Sequence, residues 1–235
     1  MLKVSGLHVR FGQAHILQGV SLELGEKPLA IVGRNGMGKT TLCGSVAGLV
    51  PASEGEITLD GARLNGLAPY RVARLGVALV PQGRRTFPSL SVHEHLKLVS
   101  QGKGARWNVE RIYETFPRLA ERRNNGGTEL SGGEQQMLAI SRALLMNPKV
   151  VVMDEPSEGL APVIVDHLIG VLRDLPKDGM RLLLVEQNLR VATEVAEDVA
   201  IMVTGRIAAT MPARQLAEDS ETQRRYLGVA AGAHH

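Results

Sequence analysis

The stretch that most restricts what this chain can become runs from Leu29 to Leu42, where a short apolar run enters a glycine-rich turn and then Lys39, Thr40 and Thr41. The pattern predicts a strand, a phosphate-binding loop and the first turn of a helix. Gly33, Gly36 and Gly38 release the backbone from the limits a Cβ imposes, so the loop amides, with Arg34, Asn35 and Met37 between the glycines, are expected to face one concavity and hold anionic oxygens. The helix beginning near Gly38 adds the positive end of its dipole. Lys39 would then reach the β- and γ-phosphates as a point charge, with the Thr40 hydroxyl on a magnesium ion bridging them. This is nucleoside triphosphate chemistry. A glycine turn that binds nothing is the plain alternative; the strand Leu29 to Val32 before it and the apolar positions Leu42, Val46 and Leu49 after it count against that.

With 44% hydrophobic content in 235 residues, the chain has apolar surface for one large domain or for two lobes on a shared core. Its apolar runs, such as Val199 to Val203, stay below the roughly 18 residues a spanning helix needs. Met1 to Arg10 lacks the continuous apolar segment of a cleavable leader, so neither a span nor a secretion signal is expected. The single Cys43 has no internal partner, which fits a reducing cytosol, and it falls on the predicted helix after the loop as a packed thiol. A formal charge of +3 is too small to call for nucleic acid. The small-residue tail Val229 to His235 closes on His234 and His235, read as a tail rather than a metal site.

Around the loop, Leu2 to Phe11 and Ile16 to Leu24 alternate and are rich in β-branched residues, and predict two paired strands. Aromatic residues make up only 3% of the chain, so Phe11 at a strand end is a candidate platform for adenine; an ordinary core phenylalanine fits this stretch equally well. Further strands are predicted over Gly55 to Leu59 and Gly76 to Val80, with a turn at Asp60 and Gly61 and a short helix around Pro69 to Leu75 between them. The second runs into Gln82, whose amide is a candidate ligand for a metal or its water. From Gly83 to Leu130 the pattern turns helical. Ser91 and Glu94 form a capping box, Asn108 caps a helix carrying Val109, Ile112 and Phe116, and Pro117 stops it. This predicts a helical lobe inserted between two strands of the main sheet.

Ser131 and Glu134 form a second capping box, yet Gly132 and Gly133 weaken the turn they occupy, by up to about 1 kcal/mol each. A backbone that must approach an anion closely explains them. Val150 to Met153 is a buried strand ending in Asp154 and Glu155, whose side chains are expected on opposite sides, one supporting magnesium and the other facing a water. Pro162 starts a helix striped by Ile164, Leu168, Leu172 and Leu175, and Leu182 to Val185 is another buried strand, ending at Glu186 and Gln187. A hairpin over Ala200 to Val203 and Arg206 to Ala209 leads to a polar helix and a last one capped by Ser220 with Gln223.

A phosphate loop, a glutamine after a strand, the string LSGGEQ over Leu130 to Gln135 and an acidic strand end, in this order, resemble the ATP-binding-cassette (ABC) ATPases over essentially residues 1–230. LSGGEQ discriminates, because kinases and small GTPases with phosphate loops lack it. The resemblance implies an α/β fold: a phosphate-loop (RecA-like) core with an N-terminal antiparallel β part and an inserted α-helical lobe. It implies a single unit over residues 1–235, in which 1–82 and 146–235 make the core with its β part and 83–145 the lobe carrying the signature. It further implies a Mg-dependent ATPase in which two cassettes close head to tail. Each ATP then lies between one chain's phosphate loop and the other chain's Ser131, Gly132, Gly133 and Glu134. By position Phe11 matches the adenine platform, Gln82 the glutamine loop, Asp154 the magnesium support beside Thr40, and Glu155 the residue that orients or deprotonates the attacking water.

Within the family, the strings PQGRRTFPSL, LSGGEQQMLAI, DEPSEGLAP, LVEQN and RYLGV look like the shorter ATPase subunit of branched-chain amino acid importers, whose near relatives serve urea or short amides. That implies a cytoplasmic subunit, peripheral on the inner face of the membrane, driving separate permease subunits that a solute-binding protein supplies. Two positions depart from the broad family pattern. Gln187 stands where most cassettes have a histidine on the γ-phosphate, and Ala161 where most have an aspartate. Glutamine donates a hydrogen bond but carries no proton charge, so a cassette that clamps ATP without hydrolysing it is one rival reading. A soluble cassette acting on DNA or ribosomes is another, but the stretch from Lys39 to Ser131 has no room for a coiled-coil insertion, nor 235 residues for two cassettes.

Overall fold

Strands of four to six apolar residues without polar alternation need cover on both faces, and this chain builds two cores around them. In the computed structural model, which describes residues 1–83, 86–102 and 104–228, the first half runs β1 (Leu2–Phe11), β2 (Ala14–Leu24), β3 (Leu29–Val32), α1 (Lys39–Val46), β4 (Glu54–Leu59), β5 (Ala62–Arg63), α2 (Pro69–Leu75) and β6 (Val77–Val80). Four helices follow: α3 (Val92–Val99), α4 (Val109–Thr115), α5 (Pro117–Glu121) and α6 (Gly132–Leu145). The chain then returns with β7 (Val150–Asp154), α7 (Pro162–Asp174), β8 (Arg181–Glu186), α8 (Leu189–Val195), β9 (Asp198–Val203), β10 (Arg206–Pro212), α9 (Ala213–Glu218) and α10 (Ser220–Thr222). The tail with His234 and His235, and Arg84 and Arg85 after the glutamine, lie outside the described residues.

Period two divides each buried strand between the cores. Ala30 and Val32 pack with Val151, Met153, Leu182 and Leu184 against residues of α6, α7 and α8 such as Ile140, Leu168 and Val191. Leu29 and Ile31 pack with Val150, Val152, Leu183 and Val185 against α1 and the β1–β2 hairpin, through Leu42, Val46, Leu7 and Leu17. Cys43 belongs to this second core, where burial pushes its thiol well above the usual range. A thiol so placed is inert packing.

The hairpin and β4–β5 form an antiparallel sheet in the order β2-β1-β4-β5, and the other strands form a sheet in the order β10-β9-β3-β8-β7-β6. From β9 to β6 every pairing is parallel, with Val32 opposite Glu186, Asp154 opposite Val185 and Val80 opposite Met153. The segments leaving β3, β8, β7 and β6 therefore emerge side by side. Open α/β sheets bind ligands at such carboxyl ends.

The caps at Ser91, Asn108 and Ser131 form as their sequences suggest. Pro117 ends α4 but also opens α5, because its fixed φ suits a first helical position as well as it blocks an interior one. The last cap moves by one residue. Asp219, not Ser220, accepts from the Glu221 and Thr222 amides, at 3.1 and 2.9 Å, and Gln223 instead donates to the Leu216 and Ala217 carbonyls. A carboxylate is the better acceptor for orphan helix amides. The stretch from Phe87 to Ser91 is held by His95, which is fully buried: Nε2 accepts from the Phe87 amide and Nδ1 donates to the Ser91 carbonyl, both at 2.8 Å.

Candidate nucleotide site

α1 starts at Lys39 with Gly38 as its cap residue, in the left-handed conformation (φ 99°) and with no side chain bonded to the first-turn amides. Those amides are open to an anion. Gly36 is left-handed as well (φ 79°). Gly33 is not, and dihedral freedom does not explain it. A Cβ there would stand 2.4 Å from the main-chain oxygen of Met202 on β9, so close approach between neighbouring strands excludes every larger residue. Gly33→Ala is expected to destabilise the fold by about 1–3 kcal/mol, as overpacking does, read as a lowered urea midpoint. An unmoved midpoint would mean that β9 yields. Met37 faces the protein rather than the loop's hollow: its carbonyl accepts from the Gly205 amide (3.0 Å) and its sulfur from the Thr204 amide (3.1 Å). The tip of the loop is thus pinned to the β9–β10 turn.

Lys39 is only 4% exposed. Its Nζ donates to the Gly33 and Arg34 carbonyls at 2.8 and 3.1 Å and stands 3.1 Å from Glu155 Oε1. Asp154 and Glu155 both bear on α1, against the alternation expected of them. Glu155 turns into the left-handed region (φ 49°), with its amide donating to the Val185 carbonyl at 2.9 Å, and its side chain reaches Lys39. Asp154 lies beside the Thr40 hydroxyl, which favours its ionised form. Alternation holds only while the backbone stays extended.

Burial raises the Asp154 carboxyl above its ordinary range, and the nearby Thr40 hydroxyl pulls the other way. One of its oxygens, Oδ1, is buried without a hydrogen-bond partner. Such an atom is costly, and a hydrated cation arriving with phosphate would satisfy it. Among the described residues no group of three or more His, Cys, Asp or Glu side chains could hold a metal ion alone. A magnesium ion here would complete its shell from phosphate and water, as that ion commonly does, so Thr40, Asp154 and Gln82 fit it.

A cavity of about 270 Å³ is lined by Ile16, Asn35, Gly36, Gly38, Lys39, Thr40, Thr41, Gln82 and Glu155. Gln82 donates to Glu158 Oε2 at 2.6 Å, which ties the end of β6 to the segment after β7. Phe11, 53% exposed at the end of β1, lies outside the cavity wall, as do the exposed Arg34 and Gln187. Ser131, Gly133 and Glu134 border a separate hollow of about 350 Å³ with Phe116, Met137 and Ile164. There the Ser131 amide donates to Glu134 Oε2 (2.8 Å) and the Glu134 amide to Ser131 Oγ (3.3 Å), so the Glu134 carboxylate serves the cap.

Two residues of the site were not foreseen. Ile16 forms a wall, and an isoleucine within a strand carries no chemical signal. Glu186 is 1% exposed, with Oε1 accepting from the Ser157 amide (3.0 Å) and Oε2 from the Asn188 amide (3.2 Å); burial pushes it up to about 7. Its signal was available, because a carboxylate closing an apolar strand must be either exposed or bonded.

Residues 17–158 match the family described as ABC transporter. The chain is 35% identical to the high-affinity branched-chain amino acid transport ATP-binding protein BraG of Pseudomonas aeruginosa, over 97% of this chain and 100% of that one. It is 32% identical to the lipopolysaccharide export system ATP-binding protein LptB of Haemophilus influenzae, over 97% of each. Among solved structures it resembles the dimeric structure of a bacterial ABC transporter cassette, with a TM-score of 0.79 at 25% identity, covering 91% of this chain and 99% of that one. A phosphate loop, an acidic strand end and a serine-diglycine helix start on this fold, together with these similarities, make the chain a member of the ABC transporter family, an ATP-hydrolysing transporter subunit.

Proposed function

We propose that this chain hydrolyses Mg-ATP to drive uptake of branched-chain amino acids through a separate membrane permease. It would act as one nucleotide-binding unit over residues 1–235, with the core in 1–82 and 146–235 and the helical lobe in 83–145. The observation that carries the nucleotide part is the convergence of Lys39, Gln82, Glu155 and the open α1 amides on one cavity.

Phe11 stacks on adenine, an interaction worth about 1–3 kcal/mol per base. Amides from Gly33 to Thr41 hold the phosphates, and Lys39 turns from the Gly33 and Arg34 carbonyls to the β- and γ-phosphates. Thr40, Gln82 and Asp154 would hold a magnesium ion, which would supply charge neutralisation on the phosphate oxygens; Gln82, which donates to Glu158 here, would give its amide oxygen to that role. Glu155 orients or deprotonates the attacking water, and Gln187 donates a hydrogen bond to the γ-phosphate. Ser131 and Gly133 border a different hollow, and with Gly132 between them they serve an ATP held by a second cassette, with hydroxyl and amides on its γ-phosphate and Glu134 stiffening their cap. The similar cassette solved as a dimer supports that arrangement.

No helix among the described residues is long and apolar enough to cross a membrane. Attachment therefore runs through the permease, at the cytoplasmic face, with Gly83 to His95 and the half-exposed Phe87 as its docking surface. A solute-binding protein supplies the permease, and nucleic acid has no part. The solute rests on likeness to BraG; the likeness to LptB makes a different cargo the second reading, and urea or short amides would use the same machinery.

The test is to purify the chain with its membrane partners in vesicles and measure ATPase activity as binding-protein-delivered solutes are added. Leucine, isoleucine or valine should stimulate it. Stimulation confined to urea, short amides or lipopolysaccharide would overturn the solute assignment.

A further inference from the structure

We propose that Glu186 is a positioning residue for ATP hydrolysis: its carboxylate tethers the segment that carries Glu155 to the turn that carries Gln187, and so fixes both relative to the phosphate loop. The proposal rests on the hydrolytic roles given above to Glu155 and Gln187.

Three observations carry it. Glu186 closes β8, which lies between β3, the source of the phosphate loop, and β7, the source of Asp154 and Glu155. It is almost completely buried, where a carboxylate persists only with strong partners. Those partners are two main-chain amides from different segments, Ser157 after β7 and Asn188 before α8, one on each oxygen. Neither partner is a cation, so this is no ion pair contributing bulk stability; it is a two-ended clamp on the two segments flanking the water-side groups. A misplacement of about 1 Å at such groups costs up to roughly a hundredfold in rate.

The clamp needs the ionised form. A protonated carboxyl turns one oxygen into an O–H group, which is a much weaker acceptor, so one of the two amide bonds slackens. The charged group acting on Glu186 is Glu155 from the end of β7, whose negative charge adds to burial in holding the proton on, while Lys39 of α1 reaches Glu155. The remaining contacts, the Ser157 hydroxyl and the two amides, favour ionisation. With the carboxyl titrating at about 7, the clamp tightens as pH rises through neutrality.

The experiment compares wild type, Glu186→Gln and Glu186→Asp as full chains assembled with their membrane partners. It measures kcat and KM for Mg-ATP from pH 6 to 9, nucleotide affinity by titration, and amide exchange at Ser157 and Asn188. Glu186→Gln should lower kcat about tenfold to a hundredfold, leave KM and affinity within about twofold, speed exchange at one or both amides, and lose the rise in kcat near pH 7 that wild type shows. Glu186→Asp keeps the charge on a shorter arm, so it should lower kcat yet retain a pH-dependent limb; it also decides the matter if the Gln chain does not fold. An active wild type with an unaffected Gln variant, or a Gln variant keeping the same limb, overturns the proposal alone. A wild type without ATPase activity overturns the hydrolytic reading and this proposal together.

Discussion

The Lys39→Ala chain is expected to bind ATP at least about a hundredfold more weakly than wild type. Hydrogen bonds from a charged donor contribute about 1.5–3 kcal/mol each, and tenfold in affinity is about 1.4 kcal/mol, so losing two phosphate contacts suffices. The same change should weaken the empty fold. Lys39 and Glu155 are both buried at 3.1 Å, and removing one partner of a buried pair leaves the other uncompensated. That penalty is about 3–5 kcal/mol in closed interiors; here Glu155 lines an open cavity, which lets water reduce it to about 1–2 kcal/mol. Titration calorimetry and urea denaturation measure the two effects separately. Affinity within threefold of wild type would remove Lys39 from the phosphate cradle.

Glu155→Gln is expected to do the reverse: ATP still binds, and turnover falls by about 10²- to 10⁴-fold, the usual contribution of a positioned general base. The amide has the same shape, so the left-handed backbone at φ 49° is retained and only the charge is lost. Such a conformation is uncommon for a residue with a side chain, and it is what turns Glu155 toward Lys39 and the cavity. The measurement is steady-state hydrolysis in the assembled transporter with the partner cassette's site silenced. Turnover within about threefold of wild type would remove Glu155 as the base.

Much of this was legible in residue order because each signal is local. A glycine-rich turn before Lys39 and Thr40, a serine followed three residues later by glutamate at Ser91 and again at Ser131, and β-branched runs bounded by turns all rest on contacts within a few residues. The misreadings share the opposite cause. Gly33 is fixed by Met202, far along the chain; Glu155 departs from alternation because it bonds to Val185 across the sheet; Asp219 took the cap from Ser220 because the stronger acceptor was one residue away.

Residue pattern alone therefore determined the glycine turn that opens α1, the buried strands, the helices between β6 and β7 and the cap at Ser131, since dihedral limits, periodicity and capping act at short range. Folding decided which strand ends stand together. Parallel pairing brings the exits of β3, β8, β7 and β6 to one edge, so that Lys39 meets Glu155, Gln82 meets Glu158 and Glu186 spans two segments. No spacing in a linear sequence encodes those pairs, because hydrogen bonds between strands and the burial of two faces at once select them only when the whole sheet closes.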